Sequence, residues 1–385
     1  MKLQVDNLKD LLGTYIKPIA SFISVNAIEE PVMRLIAENN KLLMESASHD
    51  KSIKVSTDAT VSDEGSVYIK ARSMTAVRSS HKKALLSNSG GKLTIKSGDK
   101  KRKLVLDIDT VDESSYPVLN SVKGKSESLG KVSLETLNMI VSRLNITPIL
   151  IPGQSKCLIS IQPKPKGYRI IVHDDHRVLA MESSDQKTKF KSHLITDFKE
   201  LQNVIKLISA LAEEAEFSFT KRSILATGFD EDEKDIIDIN VNYSIPGTEY
   251  VNRALSIYKA SLQSKPSLSF SVDKTFIEVL ENVISLTNIR SSGVANHMEI
   301  SLNKGLVTIS GSGPASSYNE SLKVDGAQGK GTVRMNTNSI SDLTRSFSEK
   351  SVFRVTKQAV LIVNKWKDNT LYFILPFLNF SEKVK

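Results

Sequence analysis

The sequence predicts an α+β protein made of three duplicated domains, and two observations carry that prediction. A strand-like alternating stretch that leads into a capped amphipathic helix begins three times, near residues 2, 131 and 268. Within each third, a second strand and helix follow, and then two short alternating stretches that form a hairpin. Because chance seldom repeats both the order and the spacing of elements, the chain is predicted to contain six copies of one unit.

The first unit of each third opens with a strand and a helix that has a polar cap residue. Asp6, Ser133 and Asp273 each follow an alternating stretch and offer an oxygen to the first turn of the helix. Gly13 and Pro18 predict that the first helix is bent or short. The apolar residues of these three helices recur at three- and four-residue steps, which predicts one buried face for each. They are Leu8, Leu12, Tyr15, Ile16 and Ile19; Leu134, Leu137, Ile140, Val141 and Leu144; and Phe276, Val279, Leu280, Val283 and Ile284.

The second unit of each third repeats this order and ends in strands. Its predicted strands are 66–70, 192–195 and 331–335, and its predicted helices are 73–86, 197–213 and 339–347. The predicted hairpins are 92–96 with 103–106, 216–219 with 223–226, and 352–355 with 359–363, with further strands at 236–241 and 371–375. These elements divide the chain into domains 1–128, 129–262 and 263–385. The alternative is three duplicated domains that share no functional surface.

Composition excludes several classes of protein. Hydrophobic residues make up 40% of the chain and charged residues 25%, which is typical of a globular protein and too apolar for general disorder. No apolar run reaches the roughly 18 residues of a membrane span, and the first residues lack the apolar core of a signal peptide. The single cysteine, Cys157, excludes an intrachain disulfide and a cysteine-based metal site. We therefore expect a soluble, cytoplasmic protein.

The distribution of charge favours a polyanionic partner. The formal net charge is +9, divided as +4, 0 and +5 among the three predicted domains. Lysine and arginine side chains that neutralise phosphates release condensed counterions, so a basic balance suits nucleic acid without proving it.

The repeated helices suggest an assembly. If two chains associated head to tail, twelve helices would line a closed ring with the antiparallel sheets outside it, and the exposed strand edges would disappear. Basic residues on or near the predicted helices would then face the bore, although each one alone is equally consistent with an ordinary solvated surface. These candidate DNA-binding residues are Lys9, Lys17, Arg72, Arg78, Lys82, Lys83, Arg143, Lys199, Lys206, Lys274 and Arg345.

Four stretches resemble one protein family. They are Glu64 to Arg72; Gly91 to Gly98 followed by Tyr116 and Pro117; Ile170 to Ala180, which contains His-Arg-Val-Leu-Ala; and Leu371 to Phe377 near the end. In these residues the chain resembles the bacterial-type DNA sliding clamp, the beta subunit of DNA polymerase III, in a diverged phage or prophage version. Two features depart from the family: Asp175 replaces a glycine, and the chain is basic where bacterial members are typically acidic.

The resemblance implies a protein without catalytic activity or cofactor. A sliding clamp encircles double-stranded DNA as a head-to-tail homodimer and tethers a DNA polymerase, and the clamp loader binds the same surface. Both partners insert a short linear peptide into an apolar groove between the second and third domains. Carried over by position, the groove residues are His176, Arg177, Val178, Leu179, Pro246, Arg253, Phe373, Leu375, Pro376 and Phe377.

Competing functions have weaker support in the sequence. His173 to His176 could hold a metal, but alternate side chains of a strand point in opposite directions, so only part of this set could converge. The run Gly124-Lys125-Ser126 lacks the leading glycine of a phosphate loop, and Cys157 has no identifiable catalytic partner. The remaining alternative is a non-enzymatic relative of the clamp that serves in phage transcription activation or as a structural repeat protein.

Overall fold

The computed structural model describes most of the chain. The described residues are 1–24, 30–48, 50–75, 81–98, 102–117, 127–144, 157–174, 177–185, 190–219, 223–230, 232, 234–242, 249–287, 297–312, 317–341, 344, 347–348, 351–366 and 368–381. Their contacts form two compact units, Met1–Asn138 with Lys199–Ile245, and Met139–Phe198 with Pro246–Lys385. None of the described helices is long and apolar enough to cross a membrane.

The first third of the chain contains nine strands and a bent helical segment. The strands are β1 (Lys2–Val5), β2 (Val32–Glu38), β3 (Lys41–Ala47), β4 (Lys51–Asp58), β5 (Thr60–Asp63), β6 (Gly65–Lys70), β7 (Ala84–Ser89), β8 (Lys92–Gly98) and β9 (Lys103–Asp109). The helices are α1 (Leu8–Asp10), α2 (Lys17–Ser24) and α3 (Ala71–Thr75). A π-helical turn, Leu11–Ile16, joins α1 to α2, so the helix that was predicted to be bent or short is irregular at Gly13.

The middle third contains two longer helices and a third one that was not predicted from the sequence. The strands are β10 (Glu127–Ser133), β11 (Leu158–Lys164), β12 (Gly167–His173), β13 (Val178–Ser183), β14 (Leu194–Asp197), β15 (Glu214–Phe219), β16 (Ser223–Phe229) and β17 (Asp235–Asn242). The helices are α4 (Leu134–Arg143), α5 (Phe198–Ile208) and α6 (Glu249–Gln263).

The last third follows the same order. The strands are β18 (Leu268–Ser271), β19 (His297–Asn303), β20 (Leu306–Ser312), β21 (Ser317–Lys323), β22 (Gln328–Gly329), β23 (Gly331–Asn336), β24 (Ser351–Val355), β25 (Val360–Trp366), β26 (Asn369–Leu375) and β27 (Asn379–Ser381). The helices are α7 (Lys274–Thr287) and α8 (Asn338–Ser341). Asp273 accepts a hydrogen bond from the Phe276 amide at 2.7 Å, so the predicted cap of α7 is confirmed.

In each third of the chain, the first strand of one half pairs with a strand of the other half. In the first third, β1 pairs with β7 and β6 pairs with β2. In the middle third, β10 pairs with β15 and β14 pairs with β11, and in the last third β18 pairs with β24 and β23 with β19. The same exchange in all three thirds confirms that the chain repeats one unit six times.

Two further strand pairs join different thirds of the chain. Within the first compact unit, β4 pairs with β17 in a sheet of order β10-β15-β16-β17-β4-β3-β2-β6. Within the second unit, β13 pairs with β26 in a sheet of order β14-β11-β12-β13-β26-β25-β24-β18-β22. The two remaining sheets, β5-β1-β7-β8-β9 and β21-β20-β19-β23-β27, leave β9 and β21 at their edges. Because sheets cross the predicted boundaries, the domains 1–128, 129–262 and 263–385 stay a prediction based on the repeat.

The predicted helices of the second units are shorter than expected. The helix predicted at 73–86 is wrong at its end, because Ala84 begins β7, which pairs with both β1 and β8; residues 76–80 lie outside the described residues. The helix predicted at 197–213 ends at Ile208. Of the helix predicted at 339–347, the structure describes α8 up to Ser341, and residues 342–343 and 345–346 lie outside the described residues. The three predicted hairpins are confirmed as β8 with β9, β15 with β16, and β24 with β25.

Helix α7 lies so close to β20 that one position requires glycine. A Cβ atom on Gly311 would lie 2.6 Å from a Val283 methyl and 3.1 Å from a Thr287 methyl, both on α7. Since packed interiors tolerate little added volume, the glycine sets the distance between helix and sheet.

We expect Gly311→Ala to lower the free energy of unfolding by about 1–3 kcal/mol, because the added methyl forces α7 away from β20. Gly13→Ala is the matched control, since a Cβ atom on Gly13 would have no neighbour within 4 Å. That control should raise the same quantity by up to about 1 kcal/mol through helix propensity. Denaturant unfolding monitored by circular dichroism measures both, and equal effects of the two substitutions would contradict the packing argument.

Candidate nucleic-acid and partner surface

Most of the candidate DNA-binding residues are exposed on helices. Lys9, Lys17 and Arg72 are exposed on α1, α2 and α3, and Lys199, Lys206 and Lys274 on α5 and α7. Arg143, in the last turn of α4, is half-buried. Lys82 and Lys83 are exposed but lie on the segment before β7, so their predicted helical position is wrong. Arg78 and Arg345 lie outside the described residues.

Helix α5 shows how the apolar pattern presents its lysines. Phe198, Leu201, Val204, Ile205 and Ile208 are buried, which fixes the face of α5 that packs on the protein interior. Lys199 and Lys206 are seven residues apart, two turns of helix, and are both exposed. A buried apolar stripe therefore holds two ammonium groups in a row on the solvent side.

Two of the basic candidates have nearby carboxylates. The ammonium of Lys83 lies 3.6 Å from Asp6, and that of Lys274 lies 3.5 Å from Glu278 one turn further along α7. All four side chains are more than half exposed, so each ion pair contributes little to stability. These lysines can exchange their carboxylate for a phosphate at low cost.

A buried ion pair fixes α5 to the sheet. The Lys51 ammonium, fully buried at the start of β4, lies 2.9 Å from the Glu200 carboxylate in the first turn of α5. It also lies 5.3 Å from the centre of the Phe22 ring. Because a buried charge without its partner is costly, this pair determines where α5, and with it Lys199 and Lys206, lies against β4.

We expect Lys51→Ala to lower the free energy of unfolding by about 3–5 kcal/mol, because Glu200 loses the cation beside it. Lys54→Ala is the matched control: Lys54 is half-exposed and lies 3.6 Å from Glu45. It should change stability by no more than about 1 kcal/mol. In a double-mutant cycle, an additive effect of Lys51→Ala and Glu200→Ala would contradict the direct ion pair.

The predicted groove residue Arg177 has a structural role in the turn between β12 and β13. Its guanidinium donates to one Asp174 carboxylate oxygen at 3.1 and 2.9 Å, and its backbone N–H donates to the other oxygen at 2.7 Å. The Asp174 backbone N–H in turn donates to the Arg177 carbonyl at 3.1 Å. Both side chains are buried, so Arg177 closes this turn and offers no exposed donor to a partner.

The neighbourhood of this turn does not favour metal or thiol chemistry. Within the described part of the chain, no group of three or more His, Cys, Asp or Glu side chains is placed to hold a metal ion. Asp175 and His176 lie outside that part. Burial, with a smaller contribution from the Asp174 charge, raises the pKa of the Cys157 thiol. The thiol therefore stays protonated near neutral pH and is a weak nucleophile.

The predicted groove residues on β13 and β26 lie on two opposite faces of one sheet. Val178 is opposite Ile374, and Leu179 is opposite Phe373, in the antiparallel pair β13–β26. Adjacent strand residues point to opposite faces, so Val178 cannot share a wall with Leu179 or Phe373. Phe373 packs against Phe347 at 5.6 Å between ring centres.

Burial also separates the predicted groove residues. Val178, Leu179, Phe373 and Leu375 are all buried. Arg253 and Pro376 are exposed, and Phe377 is half-buried. His176 and Pro246 lie outside the described residues. The surface that a partner could touch is therefore smaller than the predicted set.

Helix α6 covers the Val178 face of this sheet. Ala254 and Tyr258 of α6 pack with Val178, Ala180 and Ile374 in one buried cluster. The spacing of the buried residues Val251, Ala254, Tyr258 and Ser261 is that of one helix face. That pattern was present in the sequence and could have predicted α6.

Tyr258 joins α6 to a charged cluster on β11, β12 and β13. Its ring lies 5.1 Å from the Arg169 guanidinium and 5.6 Å from the Tyr372 ring, edge to face. The Glu182 carboxylate accepts hydrogen bonds from Lys164 at 2.6 Å and from the Arg169 Nε at 2.8 Å. Burial and the nearby Glu182 carboxylate raise the pKa of the Tyr258 hydroxyl. Burial alone would raise the pKa of Glu182, but the bonds from Lys164 and Arg169 outweigh it and lower that pKa.

Comparison with known proteins identifies the fold. No protein-family model matches the chain, and no curated protein matches it in sequence. The DNA polymerase III subunit beta of Pseudomonas aeruginosa matches in structure with a TM-score of 0.75, at 14% identity, over 98% of this chain and 99% of its own. This chain has the sliding-clamp fold.

Other solved clamps match equally well. The beta subunit from DNA polymerase of Streptococcus pyogenes has a TM-score of 0.76 at 11% identity, covering 98% of this chain and 100% of its own. A Pseudomonas aeruginosa sliding clamp bound to griselimycin has a TM-score of 0.74 at 14% identity, covering 98% and 99%. The fold predicted from the four short stretches is thus confirmed over nearly the whole chain, while sequence identity is low throughout.

Proposed function

We propose that this chain is a DNA sliding clamp, a processivity factor that encircles double-stranded DNA and tethers a replicative DNA polymerase in the cytoplasm of a bacterium or of a phage-infected bacterium. The observation that carries the proposal is the match to solved clamps over 98% of the chain. A sliding clamp needs no reacting groups, and its binding to DNA is topological. We propose no cofactor and no catalytic residue.

The strand pairing supports closure of a ring by two chains. Each of the six repeated units ends in a long strand: β4, β9, β13, β17, β21 and β26. Four of these strands pair with each other, β4 with β17 and β13 with β26. The two left over, β9 and β21, have one unpaired edge each, and an exposed strand edge is a template for another strand. In the proposed head-to-tail homodimer, β9 of one chain pairs with β21 of the other at both junctions, giving six clamp domains from 1–128, 129–262 and 263–385 of each chain.

The residues of β9 and β21 that face the core limit the register in which these two strands can pair. Leu106 lies opposite the buried Ile95, and Leu322 lies opposite the buried Val307, so even-numbered residues of β9 and of β21 face the core. Pairing must therefore set even-numbered residues opposite each other. Setting Leu104 opposite Leu322 satisfies this condition. It also places the basic ends of the strands, Lys103 and Lys323, together in solvent.

The proposed DNA contacts are to phosphates. The exposed lysines of α1, α2, α5 and α7 project from helices that are buried along their other faces. Contacts of this kind hold the duplex without reading its sequence, which is what sliding requires.

The proposed peptide site for the polymerase and the clamp loader is smaller than the resemblance implies. Arg253, Pro376 and the half-buried Phe377 are the described members that reach the surface. The buried members would not touch the peptide but would hold the strands that carry this surface in place; they are Val178, Leu179, Phe373 and Leu375. An apolar patch with one basic side chain suits a short peptide with apolar anchors.

The DNA-binding part of the proposal is tested with closed and linear duplexes. After loading by a clamp loader onto nicked circular DNA, the protein should stay bound at high salt and should dissociate when the circle is cut. Lys199→Glu/Lys206→Glu should reduce the slope of log affinity against log salt on linear DNA by about 2, because two phosphate contacts are lost.

The matched control is Lys166→Glu/Lys365→Glu, which changes the net charge equally at two exposed lysines on sheet strands and turns. This control should leave the salt dependence unchanged. If the protein dissociated equally from circular and linear DNA, the clamp function would be refuted, and a transcription or structural role would be favoured.

A further inference from the structure

The outward face of the first five-stranded sheet carries a cavity. Gln4, Leu85, Lys96 and Val105 lie side by side across β1, β7, β8 and β9. Their strand neighbours Leu3, Leu86 and Ile95 are buried on the opposite face. The row from Gln4 to Val105 therefore faces away from the core that packs against the helices.

A notch lies in this face where one side chain is missing. Gly98 of β8 lies opposite Lys103 of β9, one row beyond Lys96 and Val105. A Cβ atom on Gly98 would lie 2.6 Å from the Arg102 carbonyl oxygen, so the turn into β9 excludes any larger residue there. The cavity has a volume of about 410 Å³. It is lined by residues that include Lys83, Leu85, Lys96, Lys103 and Val105.

The lining of the notch is positively charged and contains no acidic residue. Three of its lining residues, Lys83, Lys96 and Lys103, are cationic, and none of the lining residues is acidic. Lys83 pairs with Asp6 at 3.6 Å, with both side chains more than 70% exposed, and this pair exchanges easily. For Lys96 and Lys103 we find no ion pair among the described residues.

The floor of the notch is apolar. Val105 is 62% exposed, the most exposed large hydrophobic residue in the described chain, and the partly buried Leu85 lies in the same row on this face. An isolated exposed valine is ordinary on a protein surface. Here the valine lines the same cavity as three lysines, a combination that matches a ligand with both an apolar group and negative charge.

We propose that this notch binds an acidic peptide segment, with one aliphatic side chain on Val105 and Leu85 and carboxylates on Lys83, Lys96 and Lys103. A nucleic-acid backbone would satisfy the lysines but would leave Val105 without an apolar partner, so the chemistry favours a peptide. Complementary charge draws such a segment to the surface, and burial of the aliphatic group holds it there. The inference does not depend on ring formation or on DNA binding.

The test measures binding of a fluorescein-labelled peptide of aspartate and glutamate with one central leucine to the full-length protein by anisotropy. We expect Lys96→Glu/Lys103→Glu to weaken binding about tenfold or more, since rim charges govern association with an anionic partner. Val105→Ser should weaken binding of this peptide but leave unchanged a companion peptide in which serine replaces the leucine. Lys166→Glu/Lys365→Glu is the control of equal charge and should have no effect.

Two results would overturn the inference. Binding that is equally sensitive to Lys96→Glu/Lys103→Glu and to the control would mean a general charge effect. A single-stranded oligonucleotide that displaced the peptide and bound Val105→Ser as well as the original protein would assign the notch to nucleic acid. Retention on circular DNA separates this outcome from failure of the clamp proposal. It is measured on Lys96→Glu alone, because Lys96 lies on β8 and not on the proposed junction strand β9, and this variant should be retained normally.

Discussion

Backbone pairing between strands that are distant in sequence is the constraint on which this structure depends. In each of the six repeated units, the first strand pairs with a strand of the other unit in the same third of the chain. In four of the six units, the last long strand pairs with a strand from a different third. Each pairing satisfies a row of backbone N–H and C=O groups that would otherwise be unpaired. Of the last long strands, β9 and β21 each keep one edge without a neighbouring strand. Ring formation would complete the pattern by the same interaction that builds each sheet.

Side-chain contacts then fix the helices on this backbone frame. The close approach of α7 to β20 at Gly311 and the buried Lys51–Glu200 pair at α5 are different solutions to one problem, the placement of a helix at a fixed distance and angle on a sheet. In each case the apolar face is held inward, so Lys199 and Lys206 of α5 and Lys274 of α7 stay exposed to solvent. Phosphate contacts need this arrangement but no particular base, which agrees with a protein that holds DNA loosely. The basic notch on the opposite face of the first sheet lies apart from this arrangement.

The parts of the fold that local patterns control were predictable from the sequence. The cap at Asp273, the hairpin of β8 and β9 and the irregular first helix near Gly13 depend on neighbouring residues, and the structure contains all three. The residues 84–86 have a helical pattern but form a strand because β1, far away in sequence, pairs with them. Most of the candidate DNA-binding residues were correctly placed on helices, since exposed basic residues follow from helical periodicity. The groove was less predictable, because a motif match does not say which face of a strand a residue occupies or that α6 covers Val178.

The central claim, that the edges of β9 and β21 pair between two copies of the chain, is tested most directly by the mass in solution of Leu106→Glu beside that of the unmodified protein. Sedimentation equilibrium should give twice 42.5 kDa for the unmodified protein and 42.5 kDa for Leu106→Glu, whose charge would lie in the apolar half of the new strand pair. Leu306→Glu, at a 41% exposed leucine of β20, should keep the double mass. A single-chain mass for the unmodified protein, or a double mass that Leu106→Glu leaves intact, would contradict the account.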